Sequence, residues 1–412
     1  MRERFSDPVV LAASPDAVLD MPSGYRIATP RWKRDREPGP GNEAGMIPGG
    51  GRELSVDKVL LAIVLGLTLF GVVMVYSASA VLAQKKFGSQ FYFLTRQGTW
   101  AAVGVIAMGV GMSVDYRHYR RRGFVIALLS ITMILLVAAF FFPERNRAHR
   151  WITYGSYSLQ PSEVSKLALV AFLAFFLHRH ATMMSRFKAT FLPAAVVAGI
   201  LVALVGAEPD LGTALTMIAV FAIMTFDAGV PLLHLATLAA AFLPALVYML
   251  LVPWRFQRIL DFLDPWANAS SSSFQIAQSL IAIGSGGSSG LGFSQGKQKL
   301  FYLPFPHSDF IFAVIGEELG LIGASTVVLL FGCLAWRGLR AARFAPDVFG
   351  RLLAVGLTAM IAVQALFNIS VTLSLVPTKG IPLPFISSGG SSLAISLFAS
   401  GVLLNVSKHG KT

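Results

Sequence analysis

Residues 58–82 read KVLLAIVLGLTLFGVVMVYSASAVL, and after Lys58 no charged side chain follows until Lys85. A helix rises 1.5 Å per residue, so about 20 apolar residues cross a hydrocarbon core about 30 Å thick. Comparable runs are centred on 98–114, 123–142, 163–177, 190–206, 211–227, 231–252, 310–336, 351–375 and 388–406. In lipid each backbone polar group needs an internal partner, so these runs read as helices. One such run fits the core of a soluble protein, but ten in one chain do not. The expectation is an all-α polytopic membrane protein with about ten transmembrane helices and a large outer loop between helices 7 and 8.

Composition points the same way. Of 412 residues, 55% are hydrophobic and 13% charged, against about 25% charged in soluble domains. Basic loops at a membrane surface account for the net charge of +13, and no nucleic-acid partner is expected. With the N-terminus inside, short inner segments carry thirteen basic residues, among them Arg117, Arg120, Arg121 and Arg122, and short outer segments carry seven. The bias places both termini in the cytoplasm. No cleavable signal is expected, because the first apolar run starts after residue 55. Cys333 is the lone cysteine, so no disulfide framework exists.

Two domains are expected: residues 1–55 as a disordered cytoplasmic tail, and 56–407 as a ten-helix membrane domain. The tail stretch RWKRDREPGPGNEAGMIPGGGRE is too polar to order itself. The outer segment 253–309 contains SFQIAQSLIAIGSGGSSG, whose apolar part is too short to span. It reads as a shallow or re-entrant helix ending in a glycine-rich turn.

Charged residues within apolar runs mark function or structural pairing. Glu163 and Lys166 lie one helical turn apart and suit an ion pair, although Lys166 is equally able to meet a glutamate of helix 8. Glu317 and Glu318 lie about 12 Å deeper than Asp309 along that helix. In PTKGIPLPFISSGGSS, Ser391 and Ser392 suit either a helix cap or a ligand. The stretch GLGFSQGKQKLFYLPFPHSDFIFAVIGEELG collects Lys297, Lys299, His307, Ser308 and Asp309. Two lysines suit a diphosphate, and a carboxylate beside them suits taking a proton from a sugar hydroxyl. Asp309 equally suits the N-cap of helix 8, and the residues alone leave both roles open.

These motifs resemble the FtsW/RodA family of peptidoglycan polymerases, the shape, elongation, division and sporulation proteins. The likeness covers about 56–406. It rests on RQ at Arg96–Gln97, DYR from Asp115, RWI from Arg150, QPSE from Gln160 with Lys166, and PDLGT from Pro209. It continues in RILDFLDPW from Arg258, FQIAQSLIAIGSGG from Phe274, KLFYLPFPHSDFIFAVIGEELG from Lys299 and PLPFISSGGSS from Pro382. The resemblance implies a ten-helix fold that transfers glycosyl units from lipid II, the undecaprenyl-diphosphate-linked disaccharide-pentapeptide. It also implies a class B penicillin-binding protein as partner, other division proteins nearby, and the bacterial inner membrane at the septum as location. It makes Asp309 the catalytic residue, with Lys299, Lys297, His307, Arg150, Lys166, Glu163, Ser391 and Ser392 as substrate-binding candidates. A divalent cation, Mg or Mn, is a candidate cofactor, though no ligand cluster in the sequence defines its site.

Two departures stand out. The family's Asn-Gly-Ala-Arg-Arg-Trp is Asn146, Arg147, Ala148, His149, Arg150, Trp151 here, and Phe305 stands where a glutamate is common. QKLFYLP and LPFISSGGSS look closer to the division branch than to the elongation branch. A lipid II flippase and a division scaffold are the rival functions.

Overall fold

The computed structural model describes residues 56–144, 149–154, 157–250, 252–267, 271, 273–300 and 302–410. The tail expected over 1–55 lies outside them.

Each of the ten apolar runs forms a helix. They are α1 (Lys58–Phe87), α2 (Tyr92–Ser113), α3 (Arg122–Ala139), α4 (Pro161–Arg179), α5 (Leu192–Ala207), α6 (Leu211–Asp227) and α7 (Leu232–Leu250). After two shorter helices, α8 (Pro253–Leu263) and α9 (Phe274–Gly286), come α10 (Ile311–Arg343), α11 (Val348–Thr372) and α12 (Gly390–His409). Among the described residues seven segments are long and apolar enough to cross a membrane: α1, α3, α4, α5 with its preceding turn, α10, α11 and α12. The chain is therefore a polytopic membrane protein with at least seven such helices. The apolar parts of α6 and α7 are shorter, and α2 carries Arg96 and Gln97 near its start. The all-α expectation needs one amendment. Before α4, β1 (Ile152–Tyr154) and β2 (Tyr157–Leu159) form an antiparallel pair.

Helix ends follow the local sequence. The Asp57 carboxylate accepts from the Leu60 N–H and starts α1, Asp210 does the same for α6 and Asp347 for α11, each using the favoured short polar side chain. Pro161 opens α4, where its missing N–H costs nothing. Asp57 also pairs with Arg337 at 2.7 Å, tying the start of α1 to α10.

The centre of the bundle is built from α11, α4 and α12, whose apolar windows are 78%, 72% and 72% buried, against 22% for α3 and α10. Peripheral helices keep apolar faces outward, for example Leu69, Ile106 and Leu329, as a lipid solvent permits.

One element departs from regular geometry in a way that shapes the site. Gly320, inside α10, has φ 64° and ψ −163°, a conformation open to glycine. The turn after α9 fills the break. Leu291 and Gly292 donate their N–H groups to the carbonyls of Glu317 and Glu318, while Leu321 and Ile322 donate to Gly287 and Ser288. Four bonds to the turn thus replace the two intrahelical bonds that Glu317 and Glu318 would accept in an unbroken helix. The approach is close enough that a Cβ on Gly286 would lie 1.9 Å from the Gly316 carbonyl oxygen. The short helix and glycine-rich turn expected in 273–290 are thus present, docked into α10.

Candidate active site

The loop 302–310 leads into α10. Its capping residue is Phe310, with no side-chain cap bond. The capping alternative for Asp309 is not realised, and its carboxylate is left for other work. Asp309 lies on the wall of a cavity of about 750 Å³, together with His307, Lys299, Arg150 and Ser392. Basic side chains from four other places reach the same cavity: Lys86 of α1, Arg96 of α2, Arg258 of α8 and Lys379. Trp100 and Trp151 add two indole surfaces.

Burial raises the Asp309 carboxyl to about 6; Arg150 lowers it, while the Asp210 charge adds to the rise. His307, packed against Phe93 at 4.5 Å between ring centroids, is held down to about 4, by burial first and then by Lys86. It is neutral at pH 7 and adds no cation. Arg150 donates through Nε to the Glu208 carbonyl at 3.1 Å and through a terminal nitrogen to the Pro209 carbonyl. The buried Glu208 carboxyl is pushed up to about 8, by burial and then by Asp210, against the pull of Arg150.

Beside the cavity, Asp210 gathers a polar cluster. Its Oδ2 accepts from Gln160 Nε2 and Ser162 Oγ, both at 2.9 Å. The Gln160 N–H donates to Ser391 Oγ at 3.2 Å. Ser391 is thus a structural acceptor outside the cavity wall, whereas Ser392 lines it.

The lysines divide in a way the sequence left open. Lys299 lines the cavity but spends its ammonium on Glu318 at 2.6 Å and Ser77 at 3.0 Å. The Lys297 side chain is exposed and outside the cavity lining, and its backbone N–H donates to Glu317 at 2.7 Å. Glu163 and Lys166 pair with each other at 2.9 Å, so Lys166 does not serve a glutamate of α10. The Lys166 ammonium also donates to Gln364 of α11. This pair is buried behind the site, not in it.

Gln97, quoted only as part of the RQ motif, and two residues that sequence reading passed over connect these parts. Gln97 donates to the Ser387 carbonyl at 3.2 Å. Gln364 donates to the Pro382 carbonyl at 2.9 Å. Asn368 donates to the carbonyls of Asp309 and Ile381 at 2.8 and 2.6 Å. No sequence spacing announces contacts between positions 59 residues apart.

Among the described residues no group of three or more His, Cys, Asp or Glu side chains is placed to hold a metal ion. Of the two departures from the family pattern in the loop before α4, Arg147 lies outside the described residues, and the His149 ring meets the Phe142 carbonyl at 2.8 Å.

Fold and site define a multi-pass membrane protein that shelters one elevated carboxyl in a cavity ringed by cations. The family model described as "Cell cycle protein", which joins FtsW, RodA and SpoVE, matches residues 57–412. A probable peptidoglycan glycosyltransferase FtsW of Geobacter metallireducens is 45% identical over 360 residues, 86% of this chain and 95% of that protein. Stage V sporulation protein E of Bacillus subtilis is 43% identical over 365 residues, 87% and 99% of the two chains. A solved chain from a peptidoglycan synthase complex superposes with TM-score 0.71 at 29% identity, covering 86% of this chain and 98% of that one. The chain belongs to the FtsW/RodA/SpoVE family.

Proposed function

We propose that this protein polymerises lipid II into glycan strands at the division septum, with Asp309 as its general base. As a member of its family the chain is a peptidoglycan glycosyltransferase. The observation that carries the finer reading is the Asp309 carboxyl, relieved of capping and held at the wall of a cavity rich in cations.

In the reaction, a sugar 4-hydroxyl attacks C1 of the sugar carried on undecaprenyl diphosphate. The C1–O bond to diphosphate breaks, its electron pair leaves with the diphosphate, and the hydroxyl proton passes to Asp309. Arg150, Arg258 and Lys379, all on the cavity wall, supply positive charge as negative charge develops on the leaving group. A divalent cation, were one bound, would supply the same stabilisation. The two indoles offer flat faces to the sugars. Ten crossings with both termini inside put this cavity at the outer face, where a class B penicillin-binding protein crosslinks the product beside other division proteins. The stretch LPFISSGGSS supports the division branch over the elongation branch.

The test is polymerisation of lipid II in liposomes by the purified chain with its transpeptidase partner. Asp309→Asn keeps size and polarity but removes the base, so turnover falls about 10²–10⁴-fold. Its melting temperature does not fall, because no cap is lost and an elevated carboxyl is neutralised. Near wild-type polymer from D309N overturns the assignment. Depletion in cells separates the branches: filaments mark a septal enzyme, and loss of rod shape an elongation enzyme.

A further inference from the structure

The three carbonyls before the Phe310 cap of α10 are each held from outside their own loop. His307 C=O accepts from the Ser388 N–H at 2.9 Å, Ser308 C=O from Ser387 Oγ at 2.6 Å, and Asp309 C=O from Asn368 Nδ2 at 2.8 Å. Two of these tethers come from the 380–388 segment. The third comes from α11, the most buried helix of the bundle.

Asn368 is 1% exposed. Its amide nitrogen donates twice, to Asp309 C=O and to Ile381 C=O at 2.6 Å, so a single side chain joins the two segments. Its Oδ1 has no hydrogen-bond partner among the described residues. An unmatched buried acceptor is costly, and an apolar side chain of the same shape avoids that cost. The amide therefore serves for its donors. Next to Ile381, Gly380 faces the Asp309 carboxylate so closely that a Cβ there would lie 3.0 Å from Oδ2. The clamp thus sets both the backbone that carries the carboxyl and the surface against which it rests. One helical turn earlier, Gln364 holds the Pro382 carbonyl and takes a bond from Lys166. The buried Glu163–Lys166 pair is thereby fastened to the same segment.

We propose that Asn368 is the positioning residue of the active site, fixing Asp309 by its main-chain carbonyl at the distance proton transfer requires. This rests on the reading of Asp309 as the base. Effective proton transfer needs heavy atoms within about 2.6–3.2 Å, and a misplacement near 1 Å costs about 10²-fold.

The test compares Asn368→Leu, of similar volume without donors, and Asn368→Ser, which keeps one, with Thr358→Val as control. Thr358 is buried on the same helix, its hydroxyl without a hydrogen-bond partner among the described residues. Lipid II polymerisation is measured per folded molecule, with kcat and KM separated. N368L is expected to lose about 10- to 100-fold in kcat with KM within twofold, N368S to fall between it and wild type, and T358V to turn over normally. If N368L does not fold, reduced kcat in N368S carries the test. Wild-type kcat in whichever variant folds, or a loss residing in KM, overturns the proposal. D309N runs alongside. If D309N is active, the reading of Asp309 as base falls. If D309N is dead while the Asn368 variants are normal, only the positioning role falls.

Discussion

As the proposed base, Asp309 needs its proton off before it can accept one. Its carboxyl is raised from 3.8 to about 6, with burial as the first cause, so the active carboxylate form grows as pH rises through about 6 and is lost below it. The acid limb of kcat/KM for lipid II polymerisation should have its midpoint near pH 6, falling about tenfold per unit below that. A midpoint near 4 is the contrary outcome, that of an ordinary exposed aspartate. The two lysines upstream separate by a different measurement. Lys299→Met strands the buried Glu318 carboxylate, a change that costs about 3–5 kcal/mol when one partner of a buried pair is removed. Lys297→Ala removes an exposed chain and should stay within about 0.5 kcal/mol. Denaturation of the two variants in detergent checks this. The place of Asp309, in the loop that opens α10, was legible in sequence because the motif around it is long. The fate of the lysines was not, since a cation two residues from another gives no sign of which one meets an acid 19 positions later. Glu208 and Asn368 were equally silent, one an acid just before the quoted PDLGT motif and the other a polar residue among apolar neighbours.

Among the elements, long apolar runs announced their helices closely, since in lipid little else satisfies a backbone. The β1–β2 pair went unread because three-residue strands carry too short a pattern. The break in α10 went unread because nothing in EELGLIG distinguishes a helical glycine from one at positive φ. Its partner turn was visible only as glycine-rich sequence. The close packing makes a sharp contrast testable. Gly286→Ala drives a methyl to 1.9 Å from a carbonyl oxygen, and overpacking of that kind costs about 1–3 kcal/mol or more. Gly284, two residues earlier in α9, has nothing within 4 Å of the point where a Cβ would stand, and Ala there should be neutral or stabilising by about 0.5–1 kcal/mol. Equal thermal stability of the two variants would argue against the docked turn.

For the molecule as a whole, the charge bias predicts an orientation, with both termini inside. Single cysteines at 20 and 297, in a background lacking Cys333, should react differently with an impermeant reagent: 297 from outside, 20 only after permeabilisation. The reverse pattern would place the cavity on the wrong face for an outer-leaflet substrate. Position 297 suits the probe because its side chain is exposed, whereas Gly290 is shut in, with a Cβ there 2.2 Å from the Glu318 carbonyl oxygen. Fold class was legible from sequence at this scale, while the arrangement of α4, α11 and α12 at the centre was not, because apolar runs look alike whether they face lipid or protein. The junction at Gly320 also bears on biogenesis. A ribosome delivers residues 287–292 before it delivers α10, so the backbone groups of the turn that bond to α10 have no such partners until that helix is made. When α10 arrives alone, its easiest pairing is the uninterrupted helix, in which Glu317 and Glu318 accept from their own chain. Docking the earlier turn against it gives four bonds in place of those two. Neither segment pairs its own backbone in full, and each is completed by docking onto the other.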